Sequence, residues 1–377
     1  MNPRRVWAVV RKEFIHILRD RRSLQAAIAL PMMLLFLYGY AVTLDVDRVP
    51  MAVWDQSETP ASRDLIAQFQ GTRYFSVKTF ARGYREIERA IDNGDALMAL
   101  VVPADFAGDI DAGRKVPVQL IVDGSDSNTA TIAMGYAELI ALDYSRRIGV
   151  RKNLRVQGKF QEFPLDARPR VWFNTDLESR NYLIPGLIAV IMSVIAALLT
   201  SLTISGEWEK GTMEQLISTP VKGPELILGK LFPYFFIGLL DVAIAAGMGE
   251  YLFHVPFRGS VALLFAMASI FLIGAFSMGM LISIAARNQM MASQIAIVTT
   301  FLPSFLLSGF IFAVVNMPAP IQIFTYAVPA TYFIALLKGI YLKGIGLEVL
   351  ALDAWLLAAF GLAMLVLANL KFKKKLE

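Results

Sequence analysis

The polar residues best placed to do chemistry form a short run of carboxylates around a tryptophan and a lysine, Gly206-Glu207-Trp208-Glu209-Lys210-Gly211-Thr212-Met213-Glu214. The run follows an uncharged stretch at residues 181–205. A helix of that length, at about 1.5 Å per residue, exceeds the roughly 30 Å hydrocarbon core of a bilayer. Charge therefore returns where a membrane-spanning helix meets water, and the run is a patterned loop of a membrane protein.

A second polar cluster, at residues 123–128, could be imagined as a cation loop. Asp123, Ser125 and Asp126 supply oxygen atoms, but the full spacing of a calcium loop and its terminal bidentate glutamate are missing. A turn at the end of a strand, followed by a helix N-cap, explains the cluster better. A Ser-His-Asp set is excluded, because His16 and His254 lie elsewhere in the chain. We predict a binding or docking role for the surrounding region.

Two acids, Asp241 and Glu250, fall inside an apolar stretch. An ionisable side chain in lipid is costly and needs a partner or water. One interpretation is a proton or cation relay. The other, which we favour, is a buried polar contact to a neighbouring helix for Asp241 and a membrane-interface position for Glu250.

Several kinds of chemistry are excluded by composition and spacing. The chain has no cysteine, which removes disulfides, catalytic thiols and thiolate metal sites, and its two histidines argue against a histidine metal site. A phosphate-binding loop needs Gly, four residues, Gly-Lys and then Ser or Thr. The nearest match begins at Gly223, but Gly229-Lys230 comes one residue late and Leu231 replaces the hydroxyl. We expect no catalytic residue, metal or cofactor in this chain, so uphill transport would draw on a partner or an ion gradient.

The elements that carry these residues are mostly apolar helices. Of 377 residues, 56% are hydrophobic and 18% charged, too apolar a composition for a soluble globule. Spanning length is reached at residues 24–44, 181–205, 231–253, 260–286, 288–315 and 350–370. We predict an α-helical integral membrane protein with six transmembrane helices and an α/β extracytoplasmic domain between helices 1 and 2. The broken apolar stretch at 316–345 is expected to form an extracytoplasmic re-entrant or interfacial hairpin.

Basic residues cluster near both ends of the sequence. Residues 1–23 hold seven arginines and lysines against two acids, and the tail carries Lys371, Lys373, Lys374 and Lys375. The positive-inside rule places both ends in the cytoplasm, with residues 45–180 outside. Lys338 and Lys343 then lie on the outer side, against the rule.

The first 23 residues also show helical periodicity. Trp7, Val10, Phe14 and Ile17 recur on one face, which predicts an N-terminal amphipathic helix in the membrane interface. The alternative is an ordinary basic flank of the first span.

Residues 45–180 differ in composition and alternate between strand and helix patterns. Strands are predicted at 49–54, 74–79, 96–102 and 116–122, and helices at 61–70, 84–93 and 128–155. This alternation predicts a mixed or parallel sheet covered by helices.

The run from Glu207 to Leu216, followed by Thr219-Pro220, resembles the signature of ABC-2 type transporter permeases, the membrane subunits of bacterial ABC exporters. Further matches extend the resemblance over essentially the whole chain, and it is strongest with the multidrug-type subgroup that has a large ectodomain after the first helix. They are Lys12-Glu13, Arg19-Asp20, Pro103-Ala104-Asp105-Phe106, Asp123-Gly124-Ser125, Leu307-Ser308-Gly309-Phe310-Ile311-Phe312 and Pro329-Ala330-Thr331-Tyr332-Phe333. The order and spacing of these motifs carry the resemblance.

The resemblance implies a permease protomer that pairs with a second protomer, as a homodimer or a paralogous heterodimer, and binds two cytoplasmic ABC ATPase subunits. ATP and Mg would be held by the ATPase. A coupling helix within 206–224 would contact it through Glu207, Trp208, Glu209, Lys210, Gly211, Thr212, Glu214, Leu216 and Pro220; a solvated loop is the alternative. The second and fifth spans of both protomers would line the substrate path, with Met192, Leu199, Met291, Phe301 and Phe305 as lining candidates.

The expected function is export of amphipathic or hydrophobic compounds, drugs or lipid-like molecules, across the bacterial inner membrane. Further expected partners are the lipid bilayer and a periplasmic adaptor protein, with no nucleic acid. The alternatives are a stand-alone ion-coupled secondary transporter that uses Asp241 and Glu250, and a membrane anchor whose outer domain recruits other proteins. Inverted repeats would favour the ion-coupled transporter, and the sequence does not display them.

Overall fold

The computed structural model describes residues 1–41, 47–157, 172–174, 178–286 and 288–372. Two compact units divide the chain, one of Met1–Thr43 with Val171–Glu377 and the other of Leu44–Arg170. The end of the first predicted span, residues 42–44, and three lysines of the tail, Lys373, Lys374 and Lys375, lie outside the described residues.

The chain begins with two helices, α1 (Pro3–Arg19) and α2 (Arg21–Ala41). Helix α1 starts where it does because the Asn2 side chain accepts a hydrogen bond from the backbone N–H of Arg4, and because Pro3 occupies the first turn.

Helix α1 is amphipathic, as its periodicity predicts, but its apolar residues divide between two environments. Val10 and Ile17 are buried in the protein, whereas the ring of Trp7 is 63% exposed. Trp7 therefore faces away from the helices on which α1 packs.

The second unit is an α/β domain that follows the predicted alternation. Its elements are β1 (Val49–Asp55), α3 (Pro60–Gln70), β2 (Phe75–Phe80), α4 (Tyr84–Asp92), β3 (Met98–Val102), α5 (Phe106–Ala112), β4 (Gln119–Val122) and α6 (Ser127–Gln157). The strand order is β2-β1-β3-β4. Strand β1 pairs in parallel with β2 and β3, and β4 pairs antiparallel with β3. The prediction of a mixed sheet is confirmed.

Helices cover both faces of this sheet, because successive strand residues point to opposite sides. Met51 and Leu100 pack on one face with side chains of α3, α5 and α6. Ala52 and Ala99 pack on the other face with Ile87 of α4. The small alanines on that second face let a single helix approach closely.

The remaining elements belong to the first unit and are helical. They are α7 (Ser179–Glu209), α8 (Met213–Ser218), α9 (Gly223–Gly247), α10 (Val261–Ala286), α11 (Gln289–Leu302), α12 (Ala319–Thr325), α13 (Pro329–Lys338) and α14 (Leu347–Lys371). Short π-helical turns extend three of them, at Met248–Leu252, Pro303–Leu307 and Gly339–Lys343, and a 3₁₀ turn covers Val314–Asn316.

Among the described residues, five helices are long and apolar enough to cross a membrane, or six if a bent pair counts as one span. The five are Ser179–Glu209, Gly223–Leu252, Val261–Ala286, Gln289–Leu307 and Leu347–Lys371. The bent pair, Ala319–Thr325 with Pro329–Lys343, turns by 83° within the stretch predicted as a re-entrant hairpin. The first predicted span appears as the shorter apolar helix Ala27–Ala41. The fifth predicted span, 288–315, ends early, at Leu307.

Glycines bring the long helices close together. A Cβ on Gly279 of α10 would lie 2.1 Å from Thr200 Oγ1 of α7, and one on Gly274 would lie 3.2 Å from the Cα of Gly361 in α14. A Cβ cannot fit at 2.1 Å, so the contact at Gly279 depends on glycine, whereas at Gly274 a Cβ would fit only if its neighbour moved by a few tenths of an ångström.

Candidate functional site

The run around Glu207 divides between the end of α7 and the separate short helix α8. Helix α7 continues to Glu209, and the chain then turns through Gly211, whose φ of +70° lies in the left-handed region that favours glycine. Helix α8 spans six residues and ends before Pro220. The segment 206–224 was predicted to contain a coupling helix. Its first four residues belong to α7, and the separate helix α8 is short.

The carboxylate of Glu207 points into the protein. Its Oε1 atom lies 2.6 Å from Lys12 Nζ of α1 and 3.0 Å from Lys230 Nζ of α9. The hydroxyl of Thr212 donates a hydrogen bond to the other oxygen of this carboxylate. Glu207 thus holds the end of α7 against two other helices and the loop before α8.

Glu13 completes this arrangement, which we term the charge cluster: Lys12, Glu13, Glu207 and Lys230. Lys230 Nζ lies 2.8 Å from Glu13 Oε1, and the two side chains are only 2% and 4% exposed. Two ammonium groups face two carboxylates, so the cluster is neutral overall. Burial of an unpaired charge is very costly, and pairing with hydrogen bonds is what makes this burial possible.

Lys12 is the member of the charge cluster that reaches solvent, with a side chain 48% exposed. Partial burial lowers its pKa, but the hydrogen bond to Glu207 and the nearby charge of Glu13 outweigh that effect, so its pKa is raised. Lys12 therefore stays charged at physiological pH.

An apolar patch lies beside the charge cluster. Val9 of α1, Met213 of α8 and Leu226 of α9 are buried together, and Trp208 packs against them half-buried. Gly229 permits this packing, since a Cβ there would lie 2.7 Å from Val9. Trp208 therefore anchors α8 and the end of α7 to the rest of the chain.

The nine predicted coupling residues divide by exposure. Glu209, Lys210, Gly211, Glu214 and Pro220 are exposed, whereas Glu207, Trp208, Thr212 and Leu216 are partly buried. Glu209 also accepts a hydrogen bond of 3.0 Å from the backbone N–H of Gln289. The exposed five form the surface that a partner could reach, which we term the α8 surface.

Residues from both ends of the described chain meet beside α8. The backbone N–H of Asn2 donates to Glu225 Oε1 at 2.7 Å, and Arg5 donates to the carbonyl of Pro220 at 2.7 Å. Phe372 packs beside Met213. The α8 surface is thus built on a support of four helices, α1, α7, α9 and α14.

A cavity of about 670 Å³ lies among α1, α2, α7, α8 and α9. The charge cluster forms part of its wall, together with His16, Asp20 and Lys210. Leucine and isoleucine side chains of α2 and α7 form another part of the wall. The sequence patterns did not reveal this cavity, because its wall combines residues from distant parts of the chain.

The five predicted substrate-path residues lie in different surroundings. Leu199 lines the cavity, whereas Met192 is 3% exposed within the core of α7. Met291 is 54% exposed on α11. The rings of Phe301 and Phe305 stack with centroids 5.4 Å apart.

The two intramembrane acids also differ. Asp241 is 1% exposed, and its Oδ1 atom has no hydrogen-bond partner within the described residues. Among those residues, this oxygen therefore does not make the polar contact that we predicted for Asp241. Glu250 is exposed, in the π-helical turn that extends α9.

Lys338 and Lys343, which the predicted orientation places against the positive-inside rule, lie close to aromatic rings. The Nζ atom of Lys338 lies 3.3 Å from the centroid of the Tyr182 ring and donates to the carbonyl of Gly309 at 3.3 Å. Lys343 Nζ lies 6.0 Å from the centroid of Phe173. Lys338 thus ties α13 to the start of α7 and to the break after α11, which gives this charge a packing role.

The long apolar helices, the α/β domain and the short helix after α7 are consistent with the predicted permease architecture. A family described as ABC-2 family transporter protein matches residues 22–370, and this chain belongs to that family. The resemblance inferred from the Glu207 motif is confirmed.

Individual relatives cover most of the chain. It is 38% identical over 340 residues to the probable multidrug ABC transporter permease YbhS of Escherichia coli (strain K12), covering 90% of this chain and 89% of the relative. It is 30% identical over 339 residues to the probable multidrug ABC transporter permease YbhR of the same strain, covering 90% of each. It is also 24% identical over 270 residues to the ABC transporter permease protein NatB of Bacillus subtilis (strain 168), covering 66% of this chain and 62% of the relative.

Proposed function

We propose that this chain is the membrane-spanning subunit of an ATP-driven exporter that moves amphipathic or hydrophobic compounds, drugs or lipid-like molecules, out of the cytoplasm or the inner leaflet. Two permease protomers would assemble with two separate ABC ATPase subunits in the bacterial inner membrane, with both ends of the chain in the cytoplasm. ATP and Mg would bind to the ATPase subunits. The names of YbhS and YbhR support a multidrug-type substrate range.

The observation that carries the proposal is the α8 surface on its rigid support. A partner that pushes on Glu214 pushes on a six-residue helix with little freedom of its own, because Trp208 and Glu207 fix its neighbours to α1 and α9. Displacement of α8 is therefore passed to α7 and α9, two of the long apolar helices. Such a surface suits a coupling element better than a solvated loop.

Copurification of the ATPase subunit tests this proposal. Glu214→Lys places a cation on the exposed α8 surface without touching the charge cluster, and like charges across an interface can cost several kcal/mol. We expect this variant to insert normally, to lose copurifying ATPase in mild detergent, and to lose drug-stimulated ATP hydrolysis in the reconstituted complex. Glu138→Lys, an exposed charge reversal on α6, is the matched control.

Equal copurification and hydrolysis for the two variants would contradict the coupling role. The same preparation distinguishes the exporter from the ion-coupled alternative. An ion-coupled transporter would transport as the permease alone, in vesicles that carry an ion gradient. If the chain is an exporter subunit, we expect the permease alone to show no transport and no ATP hydrolysis until the ATPase subunit is added.

A further inference from the structure

The cavity beside the charge cluster has one polar end and one apolar end. At the polar end lie His16, Asp20 and Lys210 with the four members of the charge cluster. The apolar wall is formed by Leu24, Ala27 and Leu30 of α2 and by Ile195, Leu198, Leu199 and Leu202 of α7. A cavity divided in this way fits a molecule that is itself divided into a polar head and an apolar body.

The size of the cavity sets the size of such a molecule. Its volume of about 670 Å³ falls within the roughly 300–1,000 Å³ of small-molecule sites. The apolar wall on α7 runs from Ile195 to Leu202, which at 1.5 Å per residue is about 10 Å. The site is therefore matched to a compact apolar body or a short chain.

The charges at the polar end decide which head group fits. The charge cluster is neutral and its charges face one another, with Lys230 enclosed by two carboxylates. Asp20 has an interaction of its own. Lys210 is exposed and makes no side-chain hydrogen bond or ion pair to any part of the chain that the structure describes. The ammonium of Lys210 is thus available to a ligand, and it selects an anion.

We propose that this cavity binds one amphipathic molecule whose anionic head, a phosphate or a carboxylate, pairs with Lys210 and whose apolar body lies between α2 and α7. All of the lining residues belong to one protomer, and Leu199, one of the predicted substrate-path residues, is among them. The part of this site in transport rests on the proposed function, since a ligand bound here would contact α7 and α9, the helices that α8 would move. The binding itself needs neither ATP nor a partner.

The absence of native cysteine makes a thiol-protection experiment direct. His16→Cys places a thiol at the polar end of the cavity, and Ser218→Cys places one on the exposed side of α8 as the control. Purified permease in nanodiscs of phosphatidylcholine is alkylated with N-ethylmaleimide in the presence of octyl phosphate, octyl glucoside or octyltrimethylammonium. These probes share a chain length and differ in head-group charge.

We expect octyl phosphate to slow alkylation of His16→Cys, to leave Ser218→Cys unchanged, and to act at about tenfold lower concentration than octyl glucoside, the factor that one hydrogen bond to a charged group supplies. Lys210→Gln in the His16→Cys background should remove that preference. Equal protection by the three probes, stronger protection by octyltrimethylammonium, or an unchanged preference in Lys210→Gln would overturn the proposal.

A second arm identifies the source of the ligand. If nanodiscs containing phosphatidylglycerol slow alkylation of His16→Cys without added octyl phosphate, the anionic head belongs to a lipid of the bilayer. If octyl phosphate protects and phosphatidylglycerol does not, the site takes a dissolved amphipath; both results support an anionic amphipath site. Because the permease is tested alone, failure here leaves the copurification result for Glu214→Lys untouched.

Discussion

At the scale of single residues, Lys230 shows how a charge can be buried between apolar helices. Its ammonium lies within 3.0 Å of carboxylates from two other helices, Glu13 at 2.8 Å and Glu207 at 3.0 Å. A buried ion pair is not a reliable source of stability, since desolvation offsets most of the attraction. It does fix geometry, because any arrangement that separates the partners leaves a charge without compensation.

Replacement of Lys230 by methionine should therefore be strongly destabilising. Loss of one partner of a buried pair costs about 3–5 kcal/mol, and here it would leave two carboxylates with only the half-exposed Lys12 to compensate them. The thermal unfolding midpoint in mild detergent should fall clearly for Lys230→Met. Lys12→Met is the comparison: Lys12 is half exposed, so water screens its charge more than that of Lys230, and we expect a smaller fall in the midpoint. Equal midpoints for the two variants would show that the buried pair does not hold the helices.

At the scale of elements, α7 and α10 depend on the missing side chain of Gly279. A Cβ there would lie 2.1 Å from Thr200 Oγ1 and 2.4 Å from the carbonyl oxygen of Ala197. The hydroxyl of Thr200 also lies 3.0 Å from the carbonyl oxygen of Ala196 in α7 and 3.0 Å from that of Phe276 in α10, and it shares its one proton between them. The two helices are thus locked at close range by a small residue and a shared hydroxyl.

Gly279→Ala should push α7 and α10 apart. Overpacking of a tight contact costs about 1–3 kcal/mol, so the unfolding midpoint should fall. Gly247→Ala is the matched control in α9, since a Cβ there meets nothing within 4 Å and alanine is favoured over glycine in a helix by roughly 0.5–1 kcal/mol. A midpoint for Gly279→Ala at or above that of Gly247→Ala would refute the steric argument.

The sequence predicted the regular elements well where a long pattern was available. The uncharged stretch 181–205 lies inside α7, and the alternating stretch 49–54 corresponds to β1 within one residue. Helix α5, with seven residues, is too short to show a helical period, so its bounds could not be predicted. The inward orientation of Glu207 could not be predicted from the sequence either, because its partner Lys12 lies 195 positions away and only tertiary packing brings the two together.

At the scale of the whole molecule, the orientation in the membrane can be measured with single cysteines. The basic ends and the span pattern predict that the α/β domain lies outside and that α8 lies in the cytoplasm. Ser125→Cys should react with an impermeant thiol reagent added to intact spheroplasts, and Ser218→Cys should react only after permeabilisation. The opposite labelling pattern would invert the orientation.

The meeting of Asn2 and Phe372 beside α8 also constrains how often the chain crosses the bilayer. A chain whose two ends lie on the same face of the bilayer has crossed the bilayer an even number of times. If the five long apolar helices all cross, they give an odd count, so we expect one more crossing, from either α2 or the bent pair and not from both. Helix α2 starts next to α1, and its Tyr40 ring lies 5.2 Å from that of Phe253, just beyond the far end of α9. We therefore expect α2 to supply the sixth crossing and the 83° pair to enter and leave by the same face.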